Sequence, residues 1–145
     1  MSGNMPYKLT DTHTSADIGL VASGRSAAEL FIDSALGMIE IMADRKSLEE
    51  NRTVTINLNS GSLDELYFDW FSEIIYIKDA EYFMPKRIDI ERLDTTAYIL
   101  KAHLYGDTID ASRQVLKVDV KAATRYKFKV EFDGNNWLGE VVFDL

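Results

Sequence analysis

An α+β domain is predicted, with two helices packed on one face of a largely antiparallel sheet. Three observations predict it. Before residue 82 the apolar period switches twice from two to helical spacing, and after it only strand-like alternation remains. Each helical stretch is opened by the same Ser-x-x-Glu capping signature. No Pro/Gly-rich or low-complexity segment divides the 145 residues, so the order strand–helix–strand–helix followed by several strands belongs to one domain spanning 1–145.

The elements follow in chain order. Met1, Ser2, Gly3 and Asn4 form an unstructured lead, and residues 5–9 a short first strand. Residues 11–15 are polar and loop-like. Residues 17–23 alternate, with Ile18, Leu20 and Ala22 on one face. After the Gly24-Arg25 turn, Ser26 and Glu29 make the first capping box. Its helix runs to about Met42, with Leu30, Phe31, Ala35, Met38, Ile39 and Met42 as the buried stripe. Asp44 lies just past this helix, where the dipole disfavours a carboxylate, so another partner is expected for it.

Residues 52–59 alternate again, and Ser62 with Glu65 caps a second helix. Leu63, Leu66, Tyr67, Trp70, Phe71, Ile74, Ile75 and Ile77 make that helix apolar on more than one side. It is either buried from several directions or covers a partner-facing groove. Strands follow over 83–90, 96–105, 116–124, 127–132 and 137–145. Pro85 places the first of these at a sheet edge, or itself among the strand's first residues. Asp133-Gly134-Asn135-Asn136 turns the last hairpin, since these residues tolerate positive φ.

Composition narrows the function. Hydrophobic residues make up 46%, enough for one substantial core. The net charge of −8 opposes autonomous nucleic-acid binding and suits a cation or a basic protein partner. The absence of cysteine excludes disulfides, thiolate catalysis and thiolate-held metals, and fits a cytoplasmic protein. No apolar run reaches the ~20 residues needed to cross a bilayer, so no membrane partner is expected.

No phosphate loop, Gly-x-Ser-x-Gly elbow or His-Glu-x-x-His helix occurs. Of the two histidines, His103 reads as a solvent-facing or satisfied structural residue in a strand. Carboxylates carry more information. Asp17 and Asp144 each stand in or beside an apolar strand, where an unpaired charge costs several kcal/mol. If those strands are neighbours, both point at one hard cation. Asp11 and Asp44, at element ends, are further candidates. Lys121 is mid-strand and faces outward, and Asp69 and Glu73 make an acidic helix edge.

Five stretches together resemble the archease family along nearly the whole chain. They are His13-Thr14-Ser15-Ala16-Asp17-Ile18-Gly19; Ala35-Leu36-Gly37-Met38 with Met42-Ala43-Asp44; Trp70-Phe71-Ser72-Glu73-Ile74-Ile75-Tyr76; Val120-Lys121-Ala122-Ala123-Thr124; and Phe143-Asp144-Leu145. Their order and spacing follow the family pattern. The motif holds one extra residue between His13 and Ala16-Asp17, and Arg125-Tyr126 stands where many relatives carry Tyr-His.

The resemblance implies an SHS2-like fold. It implies a non-catalytic partner of the RNA-splicing ligase that joins tRNA exons with GTP and manganese, promoting that enzyme's guanylylation and multiple turnover. The protein would touch tRNA only through the ligase. The resemblance also implies a divalent metal site, calcium-like, on Asp17, Asp44 and Asp144, with His13 and Asp11 as additional residues and Lys121 approaching the ligase active site. Two rival readings remain. One is a chaperone-like interaction module using the apolar second helix as a groove. The other is a metal-dependent hydrolase, which would need an open coordination position and a base.

Overall fold

The computed structural model describes residues 6–10 and 16–145. The expected lead at 1–4 and the residues Asp11 and His13 therefore lie outside the described residues. The strands are β1 (Tyr7–Thr10), β2 (Asp17–Gly24), β3 (Arg52–Asn59), β4 (Phe83–Asp94), β5 (Ile99–Thr108), β6 (Ala122–Phe132) and β7 (Trp137–Asp144). The helices are α1 (Ala27–Met42) and α2 (Leu63–Glu81), with a 3₁₀ turn at Arg45–Ser47.

The α+β class holds, and the strands divide into two antiparallel sheets. One has the order β1-β2-β7-β6 and the other β3-β5-β4. Each helix touches both sheets: α1 meets β2 and β4, and α2 meets β6, β3 and β4. The core is thus shared, and aromatic rings join its parts. Phe31 of α1 packs 5.0 Å from Tyr67 of α2, Tyr67 lies 4.9 Å from Phe71, and Phe71 meets Phe143 of β7 at 5.4 Å.

Both helix starts follow the capping signature. Ser26 Oγ accepts from Glu29 N at 3.1 Å, and Ser62 Oγ from Glu65 N at 3.1 Å. The stripe of α1 is buried as the periodicity requires. The apolar faces of α2 are buried too. Trp70 is 0% exposed, and its indole N–H donates to Phe31 O at 2.8 Å. Its burial takes this indole out of any groove along the helix.

Two stretches depart from the expected strands. The strand expected over 116–124 is mostly not sheet. Lys117 N donates to Met42 O and Val118 N to Ile41 O, so these amides satisfy carbonyls that the end of α1 leaves orphaned. Val118 is exposed while Val120 is fully buried, against the shared face that strict alternation gives them. The strand expected from 127 instead begins at Ala122 and runs through a large bulge. Elsewhere β4 is an edge strand, as Pro85 requires, with a register shift beside the proline. The turn before β5 is set by Asp94, whose carboxylate accepts from Thr96 N and Ala97 N, both at 2.9 Å.

Candidate functional site

Strands β2 and β7 are antiparallel neighbours, and their register places Asp17 directly opposite Asp144. Directly opposed residues have Cβ atoms about 5 Å apart on one sheet face, so the two carboxylates share a small volume. Asp144 is exposed and Asp17 half-buried. Like charges in this position repel, and a hard divalent cation accepting oxygens from both removes the repulsion. The donor chemistry fits a calcium-like ion.

Lys121 arrives at the same end of the sheet. Its N–H donates to Asp144 O at 2.8 Å, and Leu145 N donates to Ala16 O at 2.8 Å on the other side. The end of β7 is thus held between the segment entering β2 and the segment entering β6. The Lys121 side chain is exposed and borders a shallow groove of about 200 Å³ with Phe68, Ser72, Ile75 and Tyr76.

Asp44 has a separate local role. Its Oδ1 accepts from Lys46 N at 3.1 Å, which caps the 3₁₀ turn. Its own N–H donates to Val115 O at 2.9 Å, and its carbonyl accepts the Ser47 hydroxyl at 2.6 Å. The partner expected for this carboxylate is therefore the backbone of the next turn. Among the described residues no three carboxylate or histidine side chains gather into a metal-sized cluster. The structure brings Asp17 to Asp144 and does not assemble Asp44 with them.

Other polar residues were missed in the sequence. Asp107 is 0% exposed. It accepts from both Arg113 nitrogens at 2.8 and 2.7 Å, from Gln114 Nε2 at 2.9 Å, from Glu49 N at 3.0 Å and from Asn51 Nδ2 at 3.2 Å. The Arg113 fork holds its carboxyl well below the usual range, against the opposing effect of burial. Lys78, 3% exposed, donates to Asp119, Asp79 and Val120 O. Burial opposes its charge, but the hydrogen bonds it donates to Asp119 and Asp79 outweigh it and raise its pKa. A signal for Lys78 exists: it lies four residues after Ile74, on the buried stripe. His103 is satisfied, lying 3.0 Å from Thr55 Oγ1 and 2.7 Å from Glu91 Oε1. Asp69 accepts the Ser60 hydroxyl at 2.7 Å, so that part of the helix edge is tied inward.

Comparison with known proteins agrees with this architecture. Residues 7–145 match the family described as the Archease protein family (MTH1598/TM1083). Protein archease of Methanosarcina barkeri is 29% identical over 141 residues, covering 96% of this chain and 95% of that protein. Protein archease of Pyrococcus furiosus is 29% identical over 136 residues, covering 92% and 94%. In fold, the solution structure of Methanobacterium thermoautotrophicum protein 1598 superimposes with a TM-score of 0.80 at 23% identity, covering 98% of this chain and 100% of that one. The crystal structure of a Thermotoga maritima archease, described as a possible chaperone, gives 0.63 at 20% identity and covers 94% and 96%. No helix among the described residues is long and apolar enough to cross a membrane. With the match running from the first strand to the last residue, the chain belongs to the archease family.

Proposed function

We propose that this protein is a non-catalytic accessory factor of the GTP- and manganese-dependent tRNA-splicing RNA ligase. It promotes that enzyme's guanylylation and repeated turnover, and it does so with a divalent cation, calcium, bound at the end of its four-stranded sheet. The observation that carries the reading is the direct pairing of Asp17 with Asp144 across β2 and β7. Membership of the archease family supports the reading.

Asp17 and Asp144 would hold the ion and Lys121 would face the partner, while Asp44, which caps the turn after α1, would join only if its carboxylate left the Lys46 amide. His13 and Asp11 belong to the same proposal. The bound cation supplies positive charge and fixes the geometry of the sheet end. The chain's own residues do the rest. The Lys121 and Leu145 amides lock the β7 terminus, and Lys121 is one of the residues lining the Tyr76 groove. A compact, flexible ammonium there suits approach to a phosphate or nucleotide in the partner's mouth. The acidic surface favours a basic partner and speeds its encounter.

The test is ligase guanylylation, measured with and without this protein. Wild type stimulates it. Asp17→Ala, Asp144→Ala and Lys121→Ala each reduce the stimulation by more than about tenfold, the cost of losing one buried charge contact. Equal stimulation by wild type and Asp144→Ala overturns the carboxylate mechanism. Absence of stimulation by wild type overturns the functional assignment itself.

A further inference from the structure

Strand β6 leaves a regular ladder at one place. Thr124 pairs with Val142, and the next pair is Lys129 with Glu140. Five steps along β6 therefore face two along β7, and three extra residues are pushed out of the sheet. Lys127 sits there with φ of 55°, a left-handed backbone that residues with a Cβ rarely adopt. Strain of this kind persists only where surrounding structure enforces it.

The enforcement is visible. The Arg125 guanidinium lies 3.7 Å from the Phe68 ring centroid and donates to Glu65 at 2.7 and 3.1 Å. Phe128 packs edge-on against Phe68 at 5.2 Å. Between these two anchors Tyr126 is held out at 62% exposure, with the Lys127 ammonium 5.4 Å from its ring.

The same strand concentrates positive charge. Residues 120–130 include Lys121, Arg125, Lys127 and Lys129 and no carboxylate, in a chain of net charge −8. Glu65 meets Arg125 and Glu131 meets Lys129, but among the described residues no carboxylate pairs with Lys121 or Lys127. β6 is also the sheet's edge, so its outer backbone groups have no strand partner. Edge lysines by themselves deter sheet-to-sheet pairing. They do not account for an aromatic ring held in solvent on a strained bulge, which is the chemistry of an interface anchor.

We propose that the β6 bulge is a docking element for a short acidic segment of a protein partner. Tyr126 is the anchor that becomes buried, and Lys127 and Lys129 meet the segment's carboxylates. Charge complementarity selects this occupant. A long polyanion would extend beyond the basic strand onto the acidic remainder and be repelled. A second copy of this chain would bring two basic edges together. A short acidic segment meets only the local field, which screening confines to roughly 10 Å. The proposal stands independently of the Asp17–Asp144 metal reading.

The experiment titrates the isotope-labelled full chain with three probes, following backbone amide signals. The probes are a roughly ten-residue Asp/Glu-rich peptide, its Asn/Gln counterpart and a single-stranded RNA of matching length. The acidic peptide is expected to shift the amides of residues 122–129, with the Asn/Gln peptide silent. Tyr126→Ala removes no charge and is expected to weaken the acidic peptide at least about fivefold with melting temperature unchanged. Lys127→Glu is expected to abolish binding. Three results each overturn the proposal: no shift at the bulge, equal affinity for Tyr126→Ala, or RNA bound there more tightly than the peptide. Self-association through β6, seen by sedimentation, overturns it as well.

Discussion

Asp107 sits at the centre of five hydrogen bonds with no access to solvent, and they reach it from two separate segments of the chain. A carboxylate held this way has a folded pKa below its unfolded value of about 3.9. The unfolded state then binds its proton first as pH falls, so the stabilisation is complete above about pH 4 and is lost on acidification below it. Asp107→Asn is expected to cost about 3 kcal/mol at pH 7, the lower end for breaking a buried pair because Arg113 stays partly solvated. It is also expected to flatten the fall in stability between about pH 4 and pH 2. Urea denaturation at pH 7 and pH 3 checks both. For Asp17 and Asp144, calcium is expected to raise the melting temperature of wild type and leave Asp144→Asn unmoved, as binding to the folded state alone requires. The two kinds of aspartate differed in legibility. Asp17 and Asp144 stand out because each interrupts an apolar strand pattern. Asp107 does not, since Asn51 and Glu49 are more than fifty residues away and nothing local marks its burial.

The elements themselves were legible wherever local chemistry decides them. Ser26 and Ser62 mark both helix starts, and each hydroxyl satisfies one orphan amide. Ser26→Ala and Ser62→Ala are each expected to lower stability by about 1 kcal/mol in chemical denaturation, and the double variant by about the sum, because the sites share no partner. Close packing between elements was not legible. Gly139 of β7 lies against the ring and hydroxyl of Tyr67, so any added Cβ collides with α2. That hydroxyl is also fixed, 2.7 Å from Ser34 Oγ, and burial pushes its pKa up. Gly139→Ala is therefore expected to destabilise by about 1–3 kcal/mol, the range for an overpacked core, measured by thermal or urea unfolding. The segment 116–121 was misread as strand for a related reason. Its alternation is strand-like, yet its Lys117 and Val118 amides go to the carbonyl end of α1, a partner that no periodicity reveals. The break in β6 after Thr124 is equally hidden, since Arg125 stacks on a phenylalanine of a different element.

Across the whole molecule the sign of the charge and the order of the strands matter most. A net charge of −8 makes encounter with a basic partner sensitive to salt. Raising ionic strength from about 0.05 to 0.5 M is expected to reduce ligase stimulation at subsaturating protein and to spare it at saturation, since screening acts mainly on association. A titration at both salts checks this. The class and most elements could be read from alternation and caps, while the division into two sheets could not. It depends on β3 pairing with β5, leaving β4 at an edge, and on β7 inserting between β2 and β6. That insertion has a kinetic consequence. The β3, β4 and β5 pairings close comparatively short loops, whereas Asp17 must find Asp144 across nearly the whole chain. Contacts so distant in sequence carry the largest closure entropy and form late. The two aspartates are therefore apart in any chain that has folded only its nearby strands. A ligand needing both of them can engage only molecules that have completed the last pairing, so its binding rate during refolding times the closure of β7 onto β2.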